Sequence, residues 1–189
     1  MAFSQKRAQK EGRTIAFADQ SGFYRLPGVV RTYAPVGKTP VLYEQLSREH
    51  LSAISAITQE GKLYMMEQDR AFKGPDVVRF LKHLLRRIAG KLLVVWDGSP
   101  IHRAKAVKEF LKGGAASRLK LERLPGYAPE LNPDEGIWKH LKHLKYVELK
   151  NMCCRNLSEM RRELRKAKER LRHKVHVIRG CIKQPGFYV

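Results

Sequence analysis

Two acidic residues of this chain close apolar runs. Lys91-Leu92-Leu93-Val94-Val95-Trp96 ends at Asp97, and Ile15-Ala16-Phe17-Ala18 ends at Asp19. A carboxylate at the end of a buried strand is costly unless water or a cation meets it, and the carboxyl ends of strands are where α/β sheets gather their ligands. If the two strands are neighbours, two like charges meet at one rim, and a divalent cation resolves the conflict. The competing explanation for Asp97 is an ordinary Asp-Gly turn with Gly98, and a similar role is open to Asp19. Glu135 is a third acid of interest. It stands three residues after Asn132, where a capping-box glutamate would serve stability alone, and Asp134 and Glu130 compete with it for any metal role. The stretch from Leu124 to Trp138 carries three prolines and two glycines. Such a stretch fixes the path of the chain into the helix that follows, and so positions whatever lies at its start.

The elements that must carry these acids can be read from periodicity. The first thirteen residues are polar and aperiodic, which predicts a flexible lead-in, with structure beginning near residue 14. Strands are expected at 14–19, 31–34, 51–57 and 62–67, the last two joined by the turn Thr58-Gln59-Glu60-Gly61. Gly74-Pro75 opens a helix whose stripe is Val77, Val78, Leu81, Leu84, Leu85 and Ile88, ending at Gly90. The run 91–97 reads as a central strand covered on both faces, followed by a helix capped at Ser99-Pro100 and stopped by Gly113-Gly114. A strand at 119–124 comes next, then a helix after Asn132-Pro133 carrying Ile137, Trp138, Leu141 and Leu144. A final helix starts at Asn156, with Glu159 in the capping-box position. Antiparallel strands first and alternating helices and strands afterwards predict an α/β fold, a mixed sheet with helices packed on its faces.

The blocks holding the acids are similar to those of a known family. Tyr127-Ala128-Pro129-Glu130-Leu131-Asn132-Pro133-Asp134-Glu135-Gly136-Ile137-Trp138-Lys139 resembles the third-acid signature of mariner-related insertion-sequence transposases of the DDE superfamily. The second-acid block, an apolar strand ending in Asp with His shortly after, resembles the stretch from Leu93 to Asp97 and on to His102. The first-acid block resembles Phe17-Ala18-Asp19 with Tyr33-Ala34-Pro35-Val36-Gly37-Lys38-Thr39-Pro40 downstream. The likeness covers about residues 14–145, and the 38 positions between Asp97 and Glu135 suit it. Two departures are Gln20 where the family often has Glu, and Tyr33 where it often has Trp.

The resemblance implies an RNase H-like fold, similar to retroviral integrase, with a mixed five-stranded sheet and helices on both faces. It implies that 14–150 is the catalytic domain and 151–189 a basic helical extension of it. It also implies metal-dependent cleavage and strand transfer of DNA, with Asp19, Asp97 and Glu135 as the catalytic and metal-holding residues. Two Mg²⁺ ions are expected, with Mn²⁺ as a substitute, since hard cations take oxygen ligands; Asp19 would bridge both, Asp97 would hold one and Glu135 the other. Family members usually carry an N-terminal helix-turn-helix recognition region, for which no room is seen before Thr14, so a separate or missing recognition domain is expected, as is self-association on DNA.

Charge supports the same partner. With 38 Lys and Arg against 18 Asp and Glu, the chain has a formal charge of +20, and a polyanion is its natural ligand. From Lys139 to Val189 there are 15 Lys and Arg against 4 Asp and Glu. Arg161, Arg162, Arg165, Lys166 and Lys168 lie on a helix whose other face is apolar, and with few acids to match them they are expected to track a DNA backbone. His102, Arg103, Lys139 and Lys142 are further candidates for DNA contact. Trp138 is expected as a core anchor of its helix. Three cysteines, two of them adjacent, offer neither a disulfide framework nor a zinc knuckle. No apolar stretch is long enough to span a membrane, and no signal core opens the chain, so a soluble intracellular protein is expected; the resemblance to insertion-sequence transposases implies the prokaryotic cytosol at the nucleoid. Two alternatives stay open: a catalytically silent DNA-binding remnant, and an RNase H-like nuclease or resolvase.

Overall fold

The computed structural model describes residues 2–25, 35–38, 49–126, 128–148 and 154–187. Within them the elements follow the order α1 (Ala2–Lys10), β1 (Arg13–Tyr24), β2 (His50–Thr58), β3 (Leu63–Gln68), α2 (Gly74–Arg87), β4 (Lys91–Trp96), α3 (Lys105–Lys112), β5 (Leu119–Arg123), α4 (Pro133–Glu148), α5 (Leu157–Arg172) and α6 (Val175–Lys183). The strands form one mixed sheet in the order β3-β2-β1-β4-β5. The first three pair antiparallel, while β4 runs parallel to β1 and β5 parallel to β4. This is the predicted five-stranded mixed sheet. The strand expected at 31–34 lies outside the described residues.

Alternation along the strands sorts their side chains into two cores. Ile15, Phe17 and Phe23 of β1 share a cluster with Leu93 and Val95 of β4 and with Ile137, Trp138, Leu164, Leu171 and Ile178 from α4, α5 and α6. On the other face Ala16 and Ala18 join Leu92, Val94, Trp96, Phe80, Leu81, Leu84 and Val107, which covers the sheet with α2 and α3. Helices therefore pack on both faces, as the apolar stripes predict. Strand β4 is buried from Leu92 to Trp96, as a continuous apolar run between two helical layers must be.

Four local expectations are revised. The first residues form α1 instead of a flexible lead-in, and buried Ala8 ties it to the same core as α4. Strand β1 does not stop at Asp19 but continues to Tyr24, because β2 pairs with it as far as Tyr24↔His50. The helix expected from Ser99 is broken: Pro100–Arg103 forms a 3-10 turn, Ala104 is extended, and α3 begins only at Lys105. Beyond α5 a further helix, α6, packs Ile178, Cys181 and Ile182 into the core.

Two glycines are fixed by close approach. Gly61 turns β2 into β3 with φ near +82°, and a Cβ there would meet Val175 Cγ1 at 2.5 Å. Gly136, in the first turns of α4, lies so close to α6 that a Cβ would stand 2.7 Å from Cys181 Sγ. Asn156 caps α5 by accepting from the Glu159 amide at 2.8 Å.

Candidate active site

Register brings the first two acids together. The parallel ladder of β1 and β4 ends at Ala18↔Trp96, so Asp19 and Asp97 are the next residue on each strand. Adjacent strands lie about 4.8 Å apart. Asp19 is in phase with Ile15 and Phe17, and Asp97 with Leu93 and Val95, so alternation sends both carboxylates toward the face that α4 covers. Helix α4 supplies the third acid. Its start is fixed by buried Asn132, whose Oδ1 accepts from the Asp134 amide at 3.2 Å, and by Ile137, Trp138 and Leu141 in the core. Among the described residues the Glu135 carboxylate makes no hydrogen bond back to the Asn132 amide, and it lines the cleft, so a purely capping role does not describe it. Asp19, Asp97 and Glu135 line one open cleft of about 410 Å³, together with Gly98, Ser99, Arg123, Asn132 and the turn around Pro125.

The electrostatics of the cleft are strained. The Asp19 carboxyl is 9% exposed, and burial pushes its pKa from 3.8 up to about 6, with Glu135 and Asp97 adding repulsion. A backbone hydrogen bond at Gln20 and the Trp138 indole, whose Nε1 donates to Asp19 Oδ2 at 2.9 Å, only partly offset this. Trp138 is thus the expected core anchor and also a partner of the first acid. Asp97 behaves oppositely: its hydrogen bond from His102, helped by the Ser99 amide and Arg123, holds its pKa below the usual value despite partial burial.

Asp134, the sequence's competitor to Glu135, lies behind the cleft instead of lining it. Asp134 is fully buried, and its pKa is raised well above the usual range by burial and by the nearby Asp19 charge. Ser55, which faces Asp19 across the β1–β2 ladder, donates its hydroxyl to Asp134 Oδ2 at 2.7 Å, while Oδ1 has no partner. Arg123 is a further residue of the cleft. It ends β5, lines the cleft, and lies over Gly98, where an added Cβ would stand 2.4 Å from the guanidinium nitrogens. An arginine ending a short strand has no distinguishing signal in one dimension.

The acids fit a hard divalent cation in type and number, since three carboxylates face one cleft and a fourth lies behind them. Among the described residues, however, no three His, Cys, Asp or Glu side chains are drawn close enough together to hold a metal ion as they stand. In this arrangement Trp138 occupies an oxygen of Asp19, and His102 and Ser99 occupy one of Asp97.

The remaining predicted residues fall into separate places. His102 is not a surface contact for DNA: its ring is buried, stacked on Trp96 at 4.0 Å, and bonded through both nitrogens. Arg103 and Lys139 are exposed, and Lys142 lies in α4. The α5 cations have more acidic partners than the sequence suggests. Arg165 and Lys168 reach Glu67 of β3 at 2.9 and 3.7 Å, Arg161 reaches Asp69 at 3.9 Å, and Arg162 and Lys166 pair with Glu163 at 3.4 and 2.9 Å. Lys168 is turned inward, whereas Arg162, Arg165 and Lys166 are exposed and, with Arg161 and Arg170, border a groove of about 740 Å³. Exposed pairs of this kind contribute little and leave a cation free to exchange partners.

Comparison with known proteins bears on the family and the fold. The family model described as DDE superfamily endonuclease matches residues 14–151. The Mos1 mariner paired-end complex with Mn is similar over 100% of this chain and 61% of that one, with 15% identity and a TM-score of 0.61. The catalytic domain of Mos1 mariner transposase covers 100% of this chain and 91% of that one, at 15% identity and a TM-score of 0.52. A simian T-cell lymphotropic virus intasome covers 81% of this chain and 46% of that one, at 13% identity and a TM-score of 0.57. The fold is RNase H-like. The chain spans about three fifths of the length of the Mos1 chain in the paired-end complex. No curated protein matches it.

Proposed function

The chain belongs to the DDE superfamily of endonucleases, and from that premise we propose that it is the catalytic part of a transposase, cutting and rejoining DNA strands with divalent metal ions held by Asp19, Asp97 and Glu135. One observation carries this reading: residues that register places side by side on β1 and β4 share a single cleft with a glutamate from the start of α4. Mg²⁺ is the expected cofactor and Mn²⁺ a substitute, as in the Mos1 paired-end complex with Mn. Two such ions, when bound, stabilise charge on the attacking and the leaving oxygen of a phosphodiester.

The chain's own residues supply the positioning. Asp19 feels the charge of both Glu135 and Asp97, which would suit it to a role shared between the cations they hold. The rigid β1–β4 ladder fixes the first two relative to each other, and the Trp138 indole ties α4 to Asp19. Arg123 places a cation at the rim of the same cleft, where a DNA phosphate can be bound beside the acids. The exposed cations of α5, with Arg103, Lys139 and Lys142, would follow the backbone away from the reacting strand. Among the described residues no helix is long and apolar enough to cross a membrane, and we place the protein with its DNA in the prokaryotic cytosol. Pairing of two copies on DNA, with end recognition by a separate helix-turn-helix region, completes the proposal.

The test is a supercoiled plasmid assay with Mg²⁺ or Mn²⁺, comparing the wild type with Asp97→Asn. Nicked and joined products that vanish in the variant while DNA binding persists support the proposal. Cleavage retained by the variant refutes it. Cleavage without joined strands would point to a nuclease, and binding without cleavage by the wild type to a silent remnant.

A further inference from the structure

Behind the acids lies a second, buried row of polar side chains. His102 stacks on Trp96 with ring centroids 4.0 Å apart and planes 8° from parallel. Its Nδ1 lies 2.9 Å from Asp97 Oδ1 and 3.3 Å from the Asp97 carbonyl oxygen. Its Nε2 lies 3.0 Å from Nε2 of Gln20, the residue that follows Asp19. The indole face fixes the plane of the ring, and hydrogen bonds on two edges fix its rotation. At 6% exposure the ring is out of reach of DNA.

The partners of the ring favour one tautomer. The Asp97 carboxylate and carbonyl oxygens can only accept, so the neutral ring carries its N–H on Nδ1, and Nε2 accepts from the Gln20 amide group beside it. The carboxylate is thereby held by Oδ1, to which the Ser99 amide also donates at 3.2 Å. Oδ2 has no hydrogen bond among the described residues. We propose that His102 is a positioning residue that presets the Asp97 carboxylate for a divalent cation, and that Gln20 keeps the His102 proton on the nitrogen facing Asp97. The inference rests on the metal-holding role proposed for Asp97. It also gives a purpose to Gln20, one of the chain's departures from the family pattern.

The test is Mn²⁺ binding to the full chain without DNA, followed by the electron paramagnetic resonance signal of free Mn²⁺, alongside thermal unfolding in chelator. His102→Leu fills the space over Trp96 without a donor, whereas His102→Asn retains an N–H near the position of Nδ1. Loss of an outer partner of a metal ligand typically weakens metal binding about 10- to 100-fold, so His102→Leu is expected to lose at least about tenfold in Mn²⁺ affinity. His102→Asn is expected to recover most of that loss, and Gln20→Ala to weaken binding by a few-fold. Asp97→Asn is the reference. If it binds Mn²⁺ as the wild type does, the metal-site reading fails and this inference with it. If Asp97→Asn loses affinity but His102→Leu does not, positioning by His102 is wrong while the metal site stands. If His102→Asn loses as much as His102→Leu, packing and not the N–H is responsible, and the inference is overturned. Should His102→Leu fail to fold, the comparison of His102→Asn and Gln20→Ala with the wild type decides. A few-fold loss in Gln20→Ala with near-normal His102→Asn supports the proposal, and no loss in Gln20→Ala overturns it.

Discussion

Replacing Asp19 by Asn should make the metal-free protein more stable at neutral pH. The Asp19 carboxyl is 9% exposed, near two other acids at the cleft and a fourth beneath it, and its pKa is raised from 3.8 to about 6, chiefly by burial. Below about pH 4 the side chain is protonated in both folded and unfolded chains. Between about pH 4 and 6 the native state keeps a proton that the unfolded state has released, so stability falls as pH rises through this window. A shift of about 2 pH units at 1.36 kcal/mol each amounts to about 3 kcal/mol withheld at pH 7. Asn avoids that cost and retains an oxygen to accept the Trp138 Nε1–H. For a domain of this size the gain corresponds to roughly 6–12 °C in Tm. The assay is urea or thermal unfolding in chelator at pH 4, 5, 6 and 7. The difference between variant and wild type should grow with pH and vanish near pH 4. Asp134, raised in the same direction and in part by the Asp19 charge, is relieved too in the variant, which adds to the gain. A variant that is no more stable than wild type at pH 7, or a difference independent of pH, refutes the reasoning. Adding Mg²⁺ should raise the wild type's Tm and leave the variant's nearly unchanged.

Other perturbations follow from the same geometry. Gly136→Ala places a methyl 2.7 Å from Cys181 Sγ, and overpacking at this helix contact should cost about 1–3 kcal/mol in urea unfolding. The three atoms nearest an added Cβ at Gly98 all belong to the movable Arg123 side chain, so Gly98→Ala should change stability little while DNA affinity falls, as measured by fluorescence anisotropy. Changing Arg161, Arg162, Arg165 and Lys166 together to Gln should reduce the salt slope of DNA binding by about 2–4, and an unchanged slope would remove α5 from the DNA path.

Much of the fold was legible because its strands and helices carry strong periods. The all-apolar β4 and the stripe of α2 appear where the sequence places them, and β1 through β3 form the expected antiparallel set. What escaped depended on partners distant in the chain. Asp19 lies inside β1 instead of at its end, because β2 extends the strand past the point where β4 stops. α1 has no period and is anchored through Ala8. α6 follows α5 across His173 and Lys174, with no proline or glycine to mark the break. The candidate site was legible as three acids in three blocks, and the register explains how two of them meet. Its supports were not. The burial of His102 depends on Trp96 beneath it, the links of Ser55 and Trp138 to the acids cross 79 and 119 positions, and Glu67 and Asp69 meet the α5 cations only after the sheet forms.

The convergence of the acids on shared cations is tested most directly by diffraction from crystals of the protein soaked in Mn²⁺, with data collected near the manganese absorption edge. Anomalous peaks are predicted in the cleft, within about 2.0–2.4 Å of carboxylate oxygens of residues 19, 97 and 135. Peaks confined to other surfaces, or none in the cleft at saturating Mn²⁺, would contradict the account.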